Sequence, residues 1–175
     1  MIIRVPDLKE EVRQLEFLEP AAELNTQVDR SPGADDQHFA RDLAVVAEIY
    51  RSEHDVHFQG SIDGEVRATC ARCLEEFERP LHRDFRFVIL PRPDATDDEE
   101  DDEGVDHYSG DELDLGPLVR EQALLALDVM PLCSQDCRGL CAGCGANLNR
   151  EACRCGEKVT RLGAKLLQLR KAGTE

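Results

Sequence analysis

The residues best suited to chemistry in this chain are its eight cysteines, and they come in pairs. Cys70-Ala71-Arg72-Cys73 is a C-x-x-C, and three residues separate Cys133 from Cys137. Cys141-Ala142-Gly143-Cys144-Gly145 is a C-x-x-C-G, and Cys153-Arg154-Cys155-Gly156 is a C-x-C-G. A short turn of this kind offers two thiolates to one cation while its backbone N–H groups soften their charge. Zinc takes four such ligands in a tetrahedron, with sulfur at about 2.3 Å. A glycine after the second cysteine supplies the left-handed residue that the turn requires. The pairs therefore predict zinc in two Cys₄ sites. Cys141, Cys144, Cys153 and Cys155 are close enough along the chain to close one site. Cys70, Cys73, Cys133 and Cys137 then form the other, and interleaved pairing is the alternative. A site closed by four cysteines has no open position for substrate, so the metal is expected to be architectural and the protein not to be an enzyme.

Other chemistry has less support. His38, His54, His57, His82 and His107 match no hydrolase metal motif, and no phosphate-binding glycine loop is present. Exposed carboxylates stay ionised at neutral pH and lack the burial that tunes a general acid. The competing reading is a zinc-dependent redox switch or holdase chaperone. Thiolates released from zinc can oxidise, and a C-x-C paired with a C-x-x-C is the layout of redox-switched chaperones.

The elements that must position these pairs are legible in outline. Ile2, Ile3 and Val5 suggest a short strand, and residues 24–37 read as a loop. Leu43, Val45 and Ala47 alternate, as do Val56 with Phe58 and Phe85 with Phe87 and Ile89. Asp63-Gly64 reads as the turn of a hairpin leading to Cys70. Asp114 is a candidate N-cap for a helix over 115–129, with Leu115, Leu118, Leu124, Leu125 and Val129 on its apolar face. A last helix is predicted over 157–171. The expected fold is α+β: a small antiparallel β-sheet packed by a helix, then a zinc-ribbon-like module and terminal helix. The divisions are a strand-rich domain over 1–93, an acidic linker over 94–113, the packing helix over 114–132 and the cysteine module over 133–175.

The net charge of −16 argues against nucleic acid and anionic membranes at face value. Twelve of the acids, however, lie between Asp94 and Asp114, where no lysine or arginine occurs, and the remainder of the chain is near −4. From Arg138 onward the balance is +5, with Arg138, Arg150, Arg154, Lys158, Arg161, Lys165, Arg170 and Lys171 as candidate RNA contacts. No signal-like or membrane-spanning apolar run is present, so a cytoplasmic location is expected, where thiols stay reduced.

Two stretches together carry a family resemblance. The first is Cys70-Ala71-Arg72-Cys73-Leu74-Glu75-Glu76-Phe77 after a strand hairpin. The second runs from Asp114-Leu115 through Glu121, Pro131-Leu132-Cys133 and Cys137-Arg138-Gly139-Leu140-Cys141 to Cys144-Gly145, Asn147-Leu148-Asn149 and Cys153-Arg154-Cys155. In order and spacing the chain resembles the YceD family over roughly residues 40–170. The resemblance implies a non-catalytic role in large-subunit ribosomal RNA accumulation and large-subunit assembly. Its expected partner is the rRNA precursor or a basic ribosomal protein.

Overall fold

The computed structural model describes residues 1–30, 37–92 and 106–155. Strands run β1 (Ile2–Arg4), β2 (Arg13–Glu19), β3 (Gln37–Phe39), β4 (Leu43–Ser52), β5 (Asp55–Thr69), β6 (Glu76–Pro91), β7 (Asp106–Tyr108) and β8 (Glu112–Asp114). Among the described residues two α-helices, α1 (Ala21–Val28) and α2 (Gly116–Leu125), interrupt them. The main sheet has the order β2-β4-β5-β6-β7, with β3 pairing the far half of β5, and β1 pairs β8 in a separate ribbon.

Alternation decides which face is covered. Leu43, Val45, Ala47 and Ile49 on β4, Val56, Phe58, Ile62, Val66 and Ala68 on β5, and Leu81, Phe85 and Ile89 on β6 point into one core. At its centre Phe58 lies 4.9 Å from Phe85, centroid to centroid. Leu24 and Val28 of α1 are buried in the same core as Val119 and Ala123 of α2. The opposite sheet face carries polar and half-exposed residues, as expected of an antiparallel sheet with one solvated side.

Several expectations need correction. The sheet is larger than expected and not wholly antiparallel, because β7 joins β6 in parallel. Asp63-Gly64 is not a turn. It lies within the 15-residue β5, where Asp63 pairs with His82 and Gly64 with Leu81. The glycine leaves room for the buried Leu43, since a Cβ would sit 2.1 Å from its methyl and the side chain would have to move. The β4–β5 turn falls instead at Glu53, whose φ is +55°. Residues 24–28 are helical rather than loop: Ala21, Leu24 and Val28 make one buried face, and the Asp42 carboxylate accepts the Ala21 N–H at 2.9 Å.

The acidic stretch is not linker to its end, since β7 and β8 occupy 106–108 and 112–114. Helix α2 stops at Leu125 rather than Val129, which is 97% exposed. Its buried face is Leu115, Val119 and Ala123, while Leu118 and Leu124 pack only in part and Leu125 is exposed. Asp114 still helps to close the helix start: its Oδ1 accepts the Gly116 N–H at 3.0 Å. The expected helix over 157–171 lies outside the described residues.

The exit of α2 is fixed to the sheet. Gln37 Nε2 donates to the Asp128 carbonyl at 2.7 Å, and Arg79 pairs with the Asp128 carboxylate at 3.1 Å. These contacts aim the chain at the β5–β6 connection, where the first cysteine pair stands. No helix among the described residues is long and apolar enough to cross a membrane.

Candidate metal centre

Two cysteine tetrads form, 70/73/133/137 and 141/144/153/155, with the four sulfurs of each within 4.8 Å of one another. This is the local pairing, not the interleaved one. All eight cysteines are free thiols. A tetrahedron with sulfur about 2.3 Å from its centre has edges of about 3.8 Å. In the first tetrad Cys70–Cys137 and Cys73–Cys133 are each 3.7 Å apart. In the second Cys141–Cys153 is 3.1 Å and Cys144–Cys153 is 3.9 Å. The donor sets and spacings fit a tetrahedral thiophilic cation. The first tetrad is largely buried, with Cys70, Cys73 and Cys137 inaccessible, and the second stands at the surface.

The same turn builds half of each tetrad. In the first, the Leu74 N–H donates to the Cys70 carbonyl at 2.9 Å and the Cys70 N–H to the Glu75 carbonyl at 2.9 Å. In the second, the Gly145 N–H donates to the Cys141 carbonyl at 2.8 Å and the Cys141 N–H to the Ala146 carbonyl at 2.8 Å. Leu74 and Gly145 thus hold equivalent positions, with φ of +58° and +73°. The first turn closes β5 onto β6, so the sheet itself carries Cys70 and Cys73.

Neighbouring groups lock the tetrads together. Arg72 lies between the two cysteines of the first turn, and its guanidinium donates to the Cys137 carbonyl at 3.0 Å. The Arg72 carbonyl accepts the Leu140 N–H at 3.0 Å. Gly139, with φ of +70°, faces that same carbonyl, and an added Cβ would come within 2.9 Å of it. Asn149 Nδ2 donates to Cys137 Sγ at 3.3 Å, while Asn149 Oδ1 accepts the Arg138 N–H at 2.7 Å. Asn149 therefore supports a sulfur of one tetrad from the chain segment that separates the halves of the other. Residue types alone did not single out Asn149 and Arg72. The only signal is the short Asn147-Leu148-Asn149 run, in which the Asn147 side chain accepts the Asn149 N–H at 2.9 Å.

Four thiolates this close cannot all ionise without a cation. Burial raises Cys70, but N–H groups of Cys133, Cys73 and Arg72 outweigh it and bring the thiol to about 6. Burial and the thiols of Cys137, Cys70 and Cys73 push Cys133 up to about 12. The second tetrad divides likewise. The Cys153 thiol and the Gly143 and Cys144 N–H groups bring Cys141 to about 6. Cys144 and Cys153 push Cys155 up to about 12. A cation bound in each tetrad would draw its four thiols toward the ionised state.

Of the candidate RNA contacts, Arg138 and Arg154 are exposed beside the tetrads. Arg150 is paired with Glu75 at 2.9 Å, which ties the second module to the first turn. Lys158, Arg161, Lys165, Arg170 and Lys171 lie outside the described residues. Among its described residues the cysteine module has turns and one isolated bridge, Leu140 with Asn147.

Residues 58–170 match the family model described as large ribosomal RNA subunit accumulation protein YceD. Among curated relatives, the chloroplastic large ribosomal RNA subunit accumulation protein YCED homolog 1 of Arabidopsis thaliana is 23% identical over 142 residues, covering 66% of this chain and 44% of the relative. Its Zea mays counterpart is 23% identical over 141 residues, covering 65% and 48%. An uncharacterized protein of Mycobacterium tuberculosis is 26% identical over 110 residues, covering 63% and 53%. The chain spans about half the length of these relatives. No solved structure matches the chain. The matched region takes in both cysteine tetrads and most of β5 with all of β6, the two strands that carry the first, and the chain belongs to the YceD family.

Proposed function

We propose that this protein is a non-catalytic factor in large-subunit ribosomal RNA accumulation and large-subunit assembly. In this reading two structural zinc ions, one in each tetrad, hold a rigid module against the sheet. The module presents Arg138 and Arg154 to an rRNA precursor, with Lys158, Arg161, Lys165, Arg170 and Lys171 following in the chain. The observation that carries the reading is the pair of four-cysteine clusters at tetrahedral spacing within the region matched to the family. Closed sites of this kind fix backbone and side chains without an open coordination position. Arginines held on such a base can meet phosphates with little loss of freedom.

The test is cross-linking in cells with identification of the bound RNA, together with depletion of the protein. Cross-links to large-subunit rRNA near Arg138 and Arg154, and a fall in that rRNA on depletion, are expected. Normal subunit ratios after depletion would sink the assembly role.

A second reading has one observation in its favour. The surface tetrad brings Cys141 and Cys153 to 3.1 Å, close enough for oxidation to join them after release of the metal. In such a switch two thiolates would lose two electrons to a peroxide and form one disulfide, the peroxide being reduced to water. Reversible metal loss with gain of holdase activity on peroxide treatment would favour this reading over the first.

A further inference from the structure

The sheet has a second face that neither helix covers. Across β2, β4, β5 and β6 it presents aligned rungs, one of them Gln14, Glu48, Gln59 and Arg86 and the next Glu16, Val46, Ser61 and Asp84. The first rung is hydrogen-bonded from edge to edge. Gln14 Nε2 donates to Glu48 Oε1 at 2.7 Å, Gln59 Nε2 to Glu48 Oε2 at 3.1 Å, and Arg86 Nε to Gln59 Oε1 at 3.1 Å. Both oxygens of Glu48 are thus held in place before any ligand arrives. The amides of Gln59 and Gln14 keep its carboxyl below the usual range, so it stays charged. Beside it lies an open groove of about 470 Å³, lined by Val46, Glu48, Gln59, Ser61, Asp84 and Arg86 among others.

Charge determines what can lie there. Along β2, β4, β5 and β6 this face bears Glu16, Glu48, Asp55, Asp63, Glu65, Glu76, Glu78 and Asp84 against Arg67 and Arg86, with His57 and His82 among them. Four of the acids already have a basic neighbour: Glu78 has Arg67 at 2.8 Å, Glu65 has Arg41 at 3.5 Å, and Asp63 and Asp84 share His82 at 2.7 and 3.4 Å, Asp84 remaining 83% exposed. Val46, which is 47% exposed, faces Glu16 across the strand pair and lines the groove with Glu48 and Asp84, and Leu18 on the neighbouring strand is 65% exposed. Phosphates would be repelled from such a surface, so it is unsuited to RNA. A lysine or arginine side chain suits it: the aliphatic stem lies on Val46 while the charged head reaches the carboxylates.

We propose that this open face docks an extended lysine- or arginine-rich segment of a partner protein, with Glu48 and Asp84 as its principal anchors. The inference adds a protein-binding surface to the assembly reading and rests on this face alone. Loss of the rRNA phenotype would not touch it, and its own failure would leave the rRNA role standing.

The test uses the full zinc-loaded chain and a short peptide of alternating lysine and leucine, followed by amide chemical-shift mapping. Shifts at Val46, Glu48, Ser61 and Asp84 are expected, with the Glu48→Gln/Asp84→Asn pair weakening binding roughly tenfold. The Glu112→Gln/Glu151→Gln pair removes equal charge away from the face and should change affinity less than twofold or so. Asp84→Lys alone should also abolish the shifts, and it is a safe substitution because the Asp84 side chain is 83% exposed. Shifts confined to the acidic segment over 94–105, equal weakening by the two charge-matched pairs, or displacement of the peptide from the face by an RNA oligonucleotide would overturn the proposal.

Discussion

Leu74 and Gly145 stand at the same position of one turn built twice, and they bear its cost differently. Both have positive φ, at +58° and +73°. A side chain in the left-handed region costs about 1–2 kcal/mol, whereas glycine enters it freely. Leu74 is 65% exposed, so its side chain gives back little through packing. Leu74→Gly should therefore stabilise the zinc-loaded protein by about 0.5 kcal/mol, once the greater freedom of glycine in the unfolded chain is set against the relieved strain. Gly145→Ala should destabilise by about 1 kcal/mol, because no neighbour lies within 4 Å of the new Cβ and only the backbone penalty remains. Thermal unfolding of the two variants at fixed zinc checks both signs. Asn149 raises a different point, since its amide supports Cys137 Sγ. The cysteines announce themselves by type and spacing. An asparagine that serves a sulfur does so only once the fold has brought Cys137 and the Asn147–Asn149 turn together, so its role is not readable from the chain.

Among the elements, legibility followed the length and cleanness of each pattern. The alternation in β4 and β6 named the buried residues, because period two has one interpretation when several apolar positions share a face. Asp63-Gly64 reads as a turn, but a glycine in a strand can also serve close approach, and here the Leu43 side chain packs over it. Helix α1 is hard to read because Glu23, Asn25, Thr26 and Gln27 make half of it polar, and the Ala21 N–H at its start donates to Asp42, just before β4, rather than to a local residue. The start of α2 was readable in part. Asp114 bonds the Gly116 N–H and also the chain's amino group at 3.1 Å, which joins the helix start to β1. Those groups hold its carboxyl below the ordinary value, the Gly116 N–H contributing most. A depressed folded-state pKa means stability that is present above the unfolded carboxylate value and is lost as pH falls through the folded one. Asp114→Ala should cost about 1 kcal/mol at neutral pH. The difference from the parent should shrink below about pH 4 and vanish once Asp114 is protonated in both states. Urea unfolding at neutral pH and again near pH 3 measures this. An undiminished difference in acid would mean that Asp114 acts through packing instead.

For the molecule as a whole, acidity and metal binding are arranged in separate places. The charge of −16 is concentrated between Asp94 and Asp114, and the acids on the open sheet face form a second, smaller concentration. Neither lies in the cysteine module, so an acidic total is compatible with a cationic working end. Among the described residues that module has little core of its own: it adds Cys137 to the small buried cluster with Cys70 and Cys73, and Leu132 packs there in part. The sheet, by contrast, owns a continuous core that involves no cysteine. Zinc should therefore order residues 131–155 while contributing little to β4, β5 and β6. Removing the metal with a chelator under reducing conditions is expected to abolish amide protection across 131–155 and to leave the central strands protected. Metal analysis before chelation should find two zinc ions per chain. The sites should also respond in sequence, because the surface tetrad is open to a chelator and the first is shielded by the sheet and by Arg72. Hydrogen exchange at intermediate chelator should then show 141–155 exchanging while Cys70 and Cys73 remain protected. Simultaneous loss in both tetrads would show that Asn149 and the Arg150–Glu75 pair couple them into one unit, and global unfolding of β4, β5 and β6 would mean that the sheet depends on the metal after all.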